Sequence, residues 1–169
     1  VYERARIGLG YLPQEMSIFK GLSVEDNLLS IIETKEFDNH KRYQILEDLL
    51  VEFNITKIRS SLGITLSGGE RRRVEIARCI ASNPTHILLD EPFSGIDPIA
   101  IQDLKNLIGY LKQRKIGVLI TDHNVKDTLD IVDRAYVLYD GKILLKGNPF
   151  EIKNDQKVKS VYLGKSFSM

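Results

Sequence analysis

The stretch Ile87-Leu88-Leu89-Asp90-Glu91-Pro92 decides the fold class, because it joins a short apolar run to two consecutive carboxylates. The apolar run predicts a buried strand. Burial of carboxylates at the end of such a strand costs free energy unless they have a binding partner. Successive side chains of a strand point to opposite sides, so one acid could hold a magnesium ion while the other polarises a water for attack on a phosphate. A pair of solvated acids at a strand end is the alternative, and these residues alone leave it open.

Further apolar runs lie on both sides of this stretch. Gly8–Leu12 predicts a short strand, and His86–Leu89, Ile116–Thr121 and Ala135–Tyr139 are short and apolar, as buried parallel strands are. Pro98 can open a helix between the second and third of these strands. Its predicted buried side consists of Ile101, Leu104, Leu107, Ile108 and Leu111. Alternating strands and helices indicate an α/β sheet, in which ligands bind at the carboxyl ends of the strands.

Helical periodicity dominates residues 23–82, and other patterns follow residue 139. Ser23 can cap a helix that contains Val24, Asn27, Leu28 and Ile31. Residues 43–53 predict a second helix, whose apolar face consists of Ile45, Leu46, Leu49 and Leu50. Asp140-Gly141 predicts a hairpin turn into Lys142–Leu145, and the tail from Pro149 predicts one or two short helices.

The segment Leu66-Ser67-Gly68-Gly69-Glu70 precedes another helical pattern. Ser67 and Glu70 have the spacing of a capping box, and the two glycines leave backbone N–H groups open to close approach. A helix N-terminus of this kind can bind an anion. An ordinary capped helix is an equally good interpretation of these residues alone. The basic run Arg71–Arg73 that follows predicts a solvated helix face.

Gln14 and His123 follow predicted strands, as the two acids do. The Gln14 carbonyl could bind a metal, and His123 could bond a phosphate oxygen or orient a catalytic group, although a lone histidine is more often structural. Cys79 lies in a helical apolar pattern, which predicts a packed core thiol.

Composition excludes several classes of protein. The 169 residues carry a formal net charge of +1, so no basic excess favours nucleic acid as a partner. No apolar run approaches the roughly 20 residues that span a bilayer, so no direct membrane insertion is expected. The chain begins at Val1 rather than at a methionine or a signal peptide, and we expect it to be a fragment.

The order and spacing of these segments resemble the ATPases of ATP-binding cassette (ABC) transporters. The matching segments are Pro13-Gln14, Leu66–Glu70, Ile87–Pro92, Ser94–Pro98 and Thr121–His123. The resemblance implies that Gln14 is the Q-loop glutamine, Asp90 the Walker B aspartate that binds Mg²⁺, Glu91 the general base and His123 the switch histidine on the γ-phosphate of ATP.

The same resemblance implies a head-to-tail homodimer that encloses two ATP molecules in its interface. The signature segment, which grips the γ-phosphate held by the opposite subunit, would consist of Ser67, Gly68, Gly69 and Glu70. Asp97 would belong to the D-loop at the same interface. The implied fold is a P-loop NTPase-like α/β fold, with helices on both faces of a parallel sheet and an α-helical subdomain, here without the N-terminal strands and the P-loop. The implied domains are a core (1–14 and 83–147), a helical subdomain (15–82) and a helical tail (148–169).

A narrower resemblance links the chain to the ATPases of lipopolysaccharide export systems. It rests on residues 10–15, 17–19, 22–24, 70–78, 121–125 and 161–164. It implies a cytoplasmic subunit, peripheral to the inner membrane, that powers lipopolysaccharide extraction with two transmembrane subunits bound through their coupling helices. Phe19 and Ile18 lie where that family docks the coupling helix; core packing of Phe19 is the alternative.

The family's phosphate-binding loop, G-x-x-x-x-G-K-[ST], does not occur in these 169 residues. Gly164-Lys165-Ser166 imitates its end, but the first glycine would fall on Lys159. We expect the 169-residue chain alone to fold poorly and neither to bind ATP tightly nor to hydrolyse it, since that loop supplies most of the contacts to the phosphates. Calorimetry tests this expectation, and binding of ATP at millimolar concentration or tighter would contradict it.

Two other functions stay open. A branched-chain amino-acid importer ATPase has a similar tail after its last strand. A non-catalytic interaction module, the product of a truncated gene, would bind partners without ATP chemistry, although such a module need not keep Glu91 and His123.

Overall fold

The computed structural model describes residues 2–95 and 98–163, and the chain divides into two compact units, Val1–His123 and Asn124–Met169. The elements of the first unit are α1 (Tyr2–Arg6), β1 (Leu9–Leu12), α2 (Val24–Ile32), α3 (Asn39–Glu52), 3₁₀ turns at Thr56–Ile58 and Gly63–Thr65, α4 (Gly68–Ala81), β2 (His86–Asp90), α5 (Pro98–Gln113) and β3 (Gly117–Thr121). The elements of the second unit are α6 (Val125–Leu129), β4 (Ala135–Tyr139), β5 (Lys142–Gly147), α7 (Pro149–Asn154), α8 (Gln156–Val158) and a π-helical turn (Lys159–Leu163). Within the described ranges, the helices are all too short or too polar to cross a membrane.

A three-stranded parallel sheet with the order β1-β2-β3 organises the first unit. Alternate residues of the central strand, Ile87 and Leu89, are buried to 1% exposure, as expected for a strand with neighbours on both edges. Leu12 lies beside Leu89, and Asp90 lies beside Thr121, so all three strands end at the same edge. The predicted α/β fold with a parallel sheet is confirmed, and the sheet brings the residues that follow each strand to one place.

Helices α2, α3 and α4 contact one another and form a helical region beside the sheet. The Ser23 hydroxyl caps α2 by accepting the Asp26 N–H, as predicted. The buried residues of α2 and α3 include Val24, Leu28, Ile32, Leu46, Leu49 and Leu50. These residues recur at helical spacing, so the apolar face of each helix follows from the sequence.

Asn27 fixes the loop that precedes α2. Its side chain is fully buried; it accepts the Phe19 N–H at 2.9 Å and donates to the carbonyls of Phe19, Leu22 and Ser23 at 3.0, 3.3 and 2.8 Å. A Cβ at Gly63 would lie 2.7 Å from the Phe19 carbonyl oxygen, so this approach requires glycine. One buried amide therefore pairs the Phe19 N–H and adds a second donor to three carbonyls that also accept backbone N–H groups.

Cys79 packs between α4 and β1. A side chain at position 10 would bring its Cβ to 2.5 Å from the Cys79 Sγ, so the sulfur packs directly against Gly10. Burial raises the pKa of the Cys79 thiol to about 11. The predicted core thiol is confirmed. Helix α5 begins at Pro98, as predicted, and buries Leu104, Ile108 and Leu111.

The second unit corrects one strand prediction. β4 (Ala135–Tyr139) pairs antiparallel with β5, and Leu138 is 58% exposed, so the predicted buried parallel strand is wrong. The predicted turn at Asp140-Gly141 explains the error: both residues have positive φ, and the chain returns directly alongside β4. Only one side of β4 is covered, where Val137 packs on a small core of Leu129, Ile152 and Val158.

The tail forms short helices, as predicted, and α7 begins with a capping box between Asn148 and Glu151. The predicted division into core, helical subdomain and tail stays a prediction. Asp97 and the segment Gly164-Lys165-Ser166 lie outside the described residues.

Candidate functional site

Gln14, Glu91 and His123 meet at the carboxyl edge of the parallel sheet. The Gln14 amide donates to Glu91 Oε2 at 2.9 Å, and His123 Nδ1 lies 3.4 Å from the same oxygen. Each of the three residues lies one to two positions beyond its strand, which explains how residues 77 and 32 positions from Glu91 reach it. The structure thus brings these three predicted site residues together, and their chemical roles stay predictions.

The backbone of Glu91 adopts an unusual conformation. Its φ is +42°, a left-handed value that costs a non-glycine residue about 1–3 kcal/mol. The Glu91 N–H donates to the Thr121 carbonyl at 2.7 Å, and the Ser94 N–H donates to the Glu91 carbonyl at 3.1 Å. This turn takes the chain off the sheet immediately after Asp90, so the two neighbouring carboxylates occupy different surroundings. The side chain of Glu91 is 35% exposed, which leaves it open to water.

Asp90 is held by two hydroxyl groups that the sequence did not single out. The Thr121 hydroxyl donates to Oδ1 at 2.7 Å, and the Tyr11 hydroxyl donates to Oδ2 at 3.1 Å. The hydrogen bond to Asp90 raises the pKa of Tyr11. Thr121 faces Asp90 in the strand register, so a correct strand alignment would have revealed this contact.

Asp122 is a further residue that the sequence reasoning left without a role. Its side chain is completely buried, and Oδ2 accepts the Phe93 N–H at 2.9 Å. Oδ1 lies 3.9 Å from His123 Nδ1. Asp122 therefore ties the turn after Glu91 to the end of β3. Its position between Thr121 and His123 was a usable signal, since an acid at the end of a buried strand needs a partner.

The donor set at this edge suits a magnesium ion shared with phosphates. In the described part of the chain, no group of three or more His, Cys, Asp or Glu side chains could enclose a metal. Mg²⁺ is usually bound by one or two carboxylates together with water and substrate phosphates, so such an enclosure is not needed. The Gln14 amide donates to Glu91 through its nitrogen, so this hydrogen bond does not occupy its carbonyl oxygen, which is the atom that could bind a metal.

Ser67 and Glu70 form the predicted capping box at the start of α4. The Ser67 N–H and hydroxyl donate to Glu70 Oε2 at 2.9 and 2.6 Å, and these two bonds lower the pKa of Glu70. A Cβ at Gly69 would meet nothing within 4 Å, and one at Gly68 would meet only the Arg71 side chain, at 3.9 Å. The N-terminus of this 14-residue helix is thus open to an approaching group.

The basic run after this cap is not a solvated face, so that prediction is wrong for Arg72. Its side chain is 15% exposed and lies 3.3 Å from the carboxylate of Glu75, which is 4% exposed. Arg72 is buried because Glu75, a buried carboxylate one turn further along α4, requires a cation beside it. The run of three arginines does not show this requirement. Arg73 also has a partner, since it contacts Asp103 on α5.

The segment between Gln14 and Phe19 is anchored to the same helix. The Ser17 N–H donates to Glu75 Oε1 at 2.9 Å, and Arg78 donates to the Ser17 carbonyl at 2.5 Å. Arg78 also lies 4.6 Å from the centre of the Phe19 ring, which is half exposed. Ile18 is 6% exposed and belongs to the core, so little of its side chain is accessible to a partner, and the predicted docking role of Phe19 and Ile18 stays a prediction.

Comparisons with known proteins agree with this geometry. A sequence profile of the ABC transporter family matches residues 1–94. The chain is 54% identical over its full length to a probable ABC transporter ATP-binding protein of Azorhizobium caulinodans, covering 60% of that protein. It is 52% identical over its full length to the lipopolysaccharide export system ATP-binding protein LptB of Haemophilus influenzae, covering 70% of it. The chain thus spans 60% and 70% of the lengths of these two relatives.

A solved structure shares the fold. An ATP-binding cassette of an ABC transporter, crystallised in its ADP conformation, superposes with a TM-score of 0.79 at 26% identity. The match covers 96% of this chain and 71% of that one.

Proposed function

From the premise that this chain belongs to the ABC transporter family, we propose that it is part of the ATP-hydrolysing subunit of a lipopolysaccharide export transporter. The observation that carries the enzymatic part is the contact of Gln14 and His123 with a single oxygen of Glu91 at the carboxyl edge of the sheet. Contacts among three polar side chains that follow three different strands add little to folding stability at a partly exposed edge. Their convergence is what a reaction at a bound phosphate requires.

Each residue has a separate role in this proposal. Glu91 accepts the proton of the attacking water, because it is a partly exposed carboxylate at the proposed phosphate site. Gln14 and His123 orient that carboxylate before ATP binds, and His123 then donates to the γ-phosphate. Asp90, fixed by Thr121, and the Gln14 carbonyl would hold Mg²⁺, which supplies charge neutralisation for the phosphates when it is bound.

The signature segment acts on the ATP of a second copy of the subunit. Ser67, Gly68 and Gly69 present the hydroxyl and open N–H groups of a helix N-terminus, which suit a γ-phosphate. Glu70 fixes Ser67 through the capping box, and Asp97 would lie at the same interface. The proposed assembly is therefore a homodimer that encloses two ATP molecules.

The proposed substrate and partners come from relatives named LptB, which are 50–53% identical to this chain. Two transmembrane subunits would bind through coupling helices at the half-exposed ring of Phe19, so the subunit would act at the cytoplasmic face of the inner membrane. The chain covers only part of these relatives, and we expect the 169 residues alone to be inactive, because they contain no G-x-x-x-x-G-K-[ST] loop.

Depletion of the gene product that contains this chain tests the proposed substrate. We expect depleted cells to retain newly made lipopolysaccharide in the inner membrane, which fractionation followed by immunoblotting measures. Uptake of radiolabelled leucine in the same cells should be unchanged. Loss of leucine uptake with normal lipopolysaccharide export would instead support the branched-chain amino-acid importer.

A purified gene product that releases no phosphate from ATP in the presence of Mg²⁺ would support the non-catalytic module. Phosphate release that is abolished by chelation of Mg²⁺ would contradict it.

A further inference from the structure

Helices α4 and α5 face each other across a cavity near the signature segment. The cavity has a volume of about 290 Å³, and its lining includes Gly68 and Gly69 of α4 and Leu104 and Leu107 of α5. Protein interiors are normally close-packed, and close packing is what prevents one helix from shifting against another. The cavity is partly open to solvent and leaves this part of the two helices without continuous packing, so polar contacts contribute to the position of the start of α4.

Arg73 provides such a contact. Its Nη2 donates to Asp103 Oδ2 on α5 at 2.5 Å. The same guanidinium acts on Glu70: the Ser67 hydroxyl and N–H lower the pKa of Glu70, and the charge of Arg73 lowers it further. Glu70 in turn accepts both hydrogen bonds from Ser67. Arg73 and Glu70 lie one turn apart on α4, so the ion pair with Asp103 and the hydrogen bonds to Ser67 are linked by the interaction of these two opposite charges.

A second bridge holds the other end of α5. Tyr110 and Arg114 both donate to Glu52 Oε1, at the end of α3, at 2.6 Å. The Tyr110 ring also meets Phe53 edge-to-face, with ring centres 6.3 Å apart. Because α5 is anchored to α3 in this way, it provides a fixed point from which Arg73 can position α4.

We propose that Arg73 and Asp103 are positioning residues whose ion pair holds Ser67, Gly68 and Gly69 in place for the phosphate of the partner's ATP. The proposal rests on the proposed function, since that function gives the signature segment a phosphate to bind. α5 begins at Pro98, so Asp103 lies in the second turn of that helix.

The exposure of the Arg73–Asp103 ion pair indicates that it positions the start of α4 rather than stabilises the fold. The side chains of Arg73 and Asp103 are 32% and 48% exposed, and exposed ion pairs contribute little to the free energy of folding. Loss of this pair should therefore leave the fold intact while it releases the start of α4. The ion pair of Glu47 with Arg59 serves as the control. Glu47 is 50% exposed and lies 3.0 Å from Arg59, away from the starts of α4 and α5.

The test uses the gene product that contains this chain, with Asp103→Asn, Arg73→Gln and the conservative change Asp103→Glu. We expect Asp103→Asn and Arg73→Gln each to lower kcat for ATP roughly 3- to 30-fold. The melting temperature should move by less than about 4 °C. Asp103→Glu, which keeps the negative charge opposite Arg73, should retain most of the activity, and Glu47→Gln should leave kcat unchanged.

Hydrogen exchange gives a readout that does not depend on ATP. Without nucleotide, Asp103→Asn should speed exchange of the amides of residues 67–70, and Glu47→Gln should not. Unchanged exchange, or a loss of kcat that only follows a fall in melting temperature, would overturn the positioning role. A wild-type protein without ATPase activity would contradict the proposed function, whereas the exchange result would still decide whether the ion pair positions the segment.

Discussion

Replacement of Glu91 by Gln is expected to lower ATP hydrolysis by the gene product that contains this chain about 10²- to 10⁴-fold, the usual contribution of a general base. Glutamine keeps the size of the side chain, and its amide oxygen can still accept from Gln14 and His123, so the site should keep its geometry. It cannot accept a proton from water. ATP should therefore still bind, and the dimer that encloses it should accumulate. Phosphate release and size-exclusion chromatography with ATP measure the two effects.

Glu47→Gln is the control for this experiment, because it removes the same charge from an exposed position on α3. It should leave both phosphate release and dimer formation at the wild-type level. Turnover of Glu91→Gln near the wild-type rate would show that Glu91 is not the base. Loss of hydrolysis without the dimer would show that the carboxylate is needed for ATP binding rather than for the chemical step.

Replacement of Asn27 by Leu should produce the largest loss of stability, about 2–4 kcal/mol in the free energy of unfolding. Leucine fills a similar volume but leaves the Phe19 N–H without the acceptor that it has in the structure. The carbonyls of Phe19 and Leu22 also lose one donor each, although both keep a backbone donor. Urea unfolding followed by circular dichroism measures the change.

Ser30→Ala on the same helix provides the comparison. Ser30 donates its hydroxyl to the Asn27 carbonyl at 2.8 Å, a bond made to the carbonyl of residue i−3 in the same helix. Its loss should cost less than about 1 kcal/mol. A loss for Asn27→Leu as small as that for Ser30→Ala would show that the loop before α2 satisfies its backbone groups in another way.

Local patterns predicted the elements of this fold well. Ser23 and Ser67 start helices because their hydroxyls accept backbone N–H groups, and Pro98 opens α5, so these helix starts could be found without any tertiary information. The position of the candidate site also followed, since residues that come after parallel strands meet at one edge. Gln14, Glu91 and His123 were therefore predictable as a group.

The sequence could not show which atoms meet. The positive φ of Glu91 depends on hydrogen bonds to Thr121 and Ser94, and only the completed sheet and turn supply them. The burial of Arg72 depends on Glu75, and a run of three arginines carries no sign of which one turns inward. β4 was misplaced because an apolar strand has the same composition in a parallel sheet and in a hairpin with one covered side.

The protonated state of Cys79 has a practical consequence for spectroscopy. It is the single cysteine of the 169 residues, and at neutral pH almost none of it is thiolate, since its pKa is near 11. Maleimide probes react with the thiolate, so a second cysteine introduced at an exposed position would be labelled selectively without replacement of Cys79. Two cysteines introduced at exposed positions would carry a pair of spin labels or fluorophores and report a distance while the packing between Cys79 and Gly10 stays undisturbed.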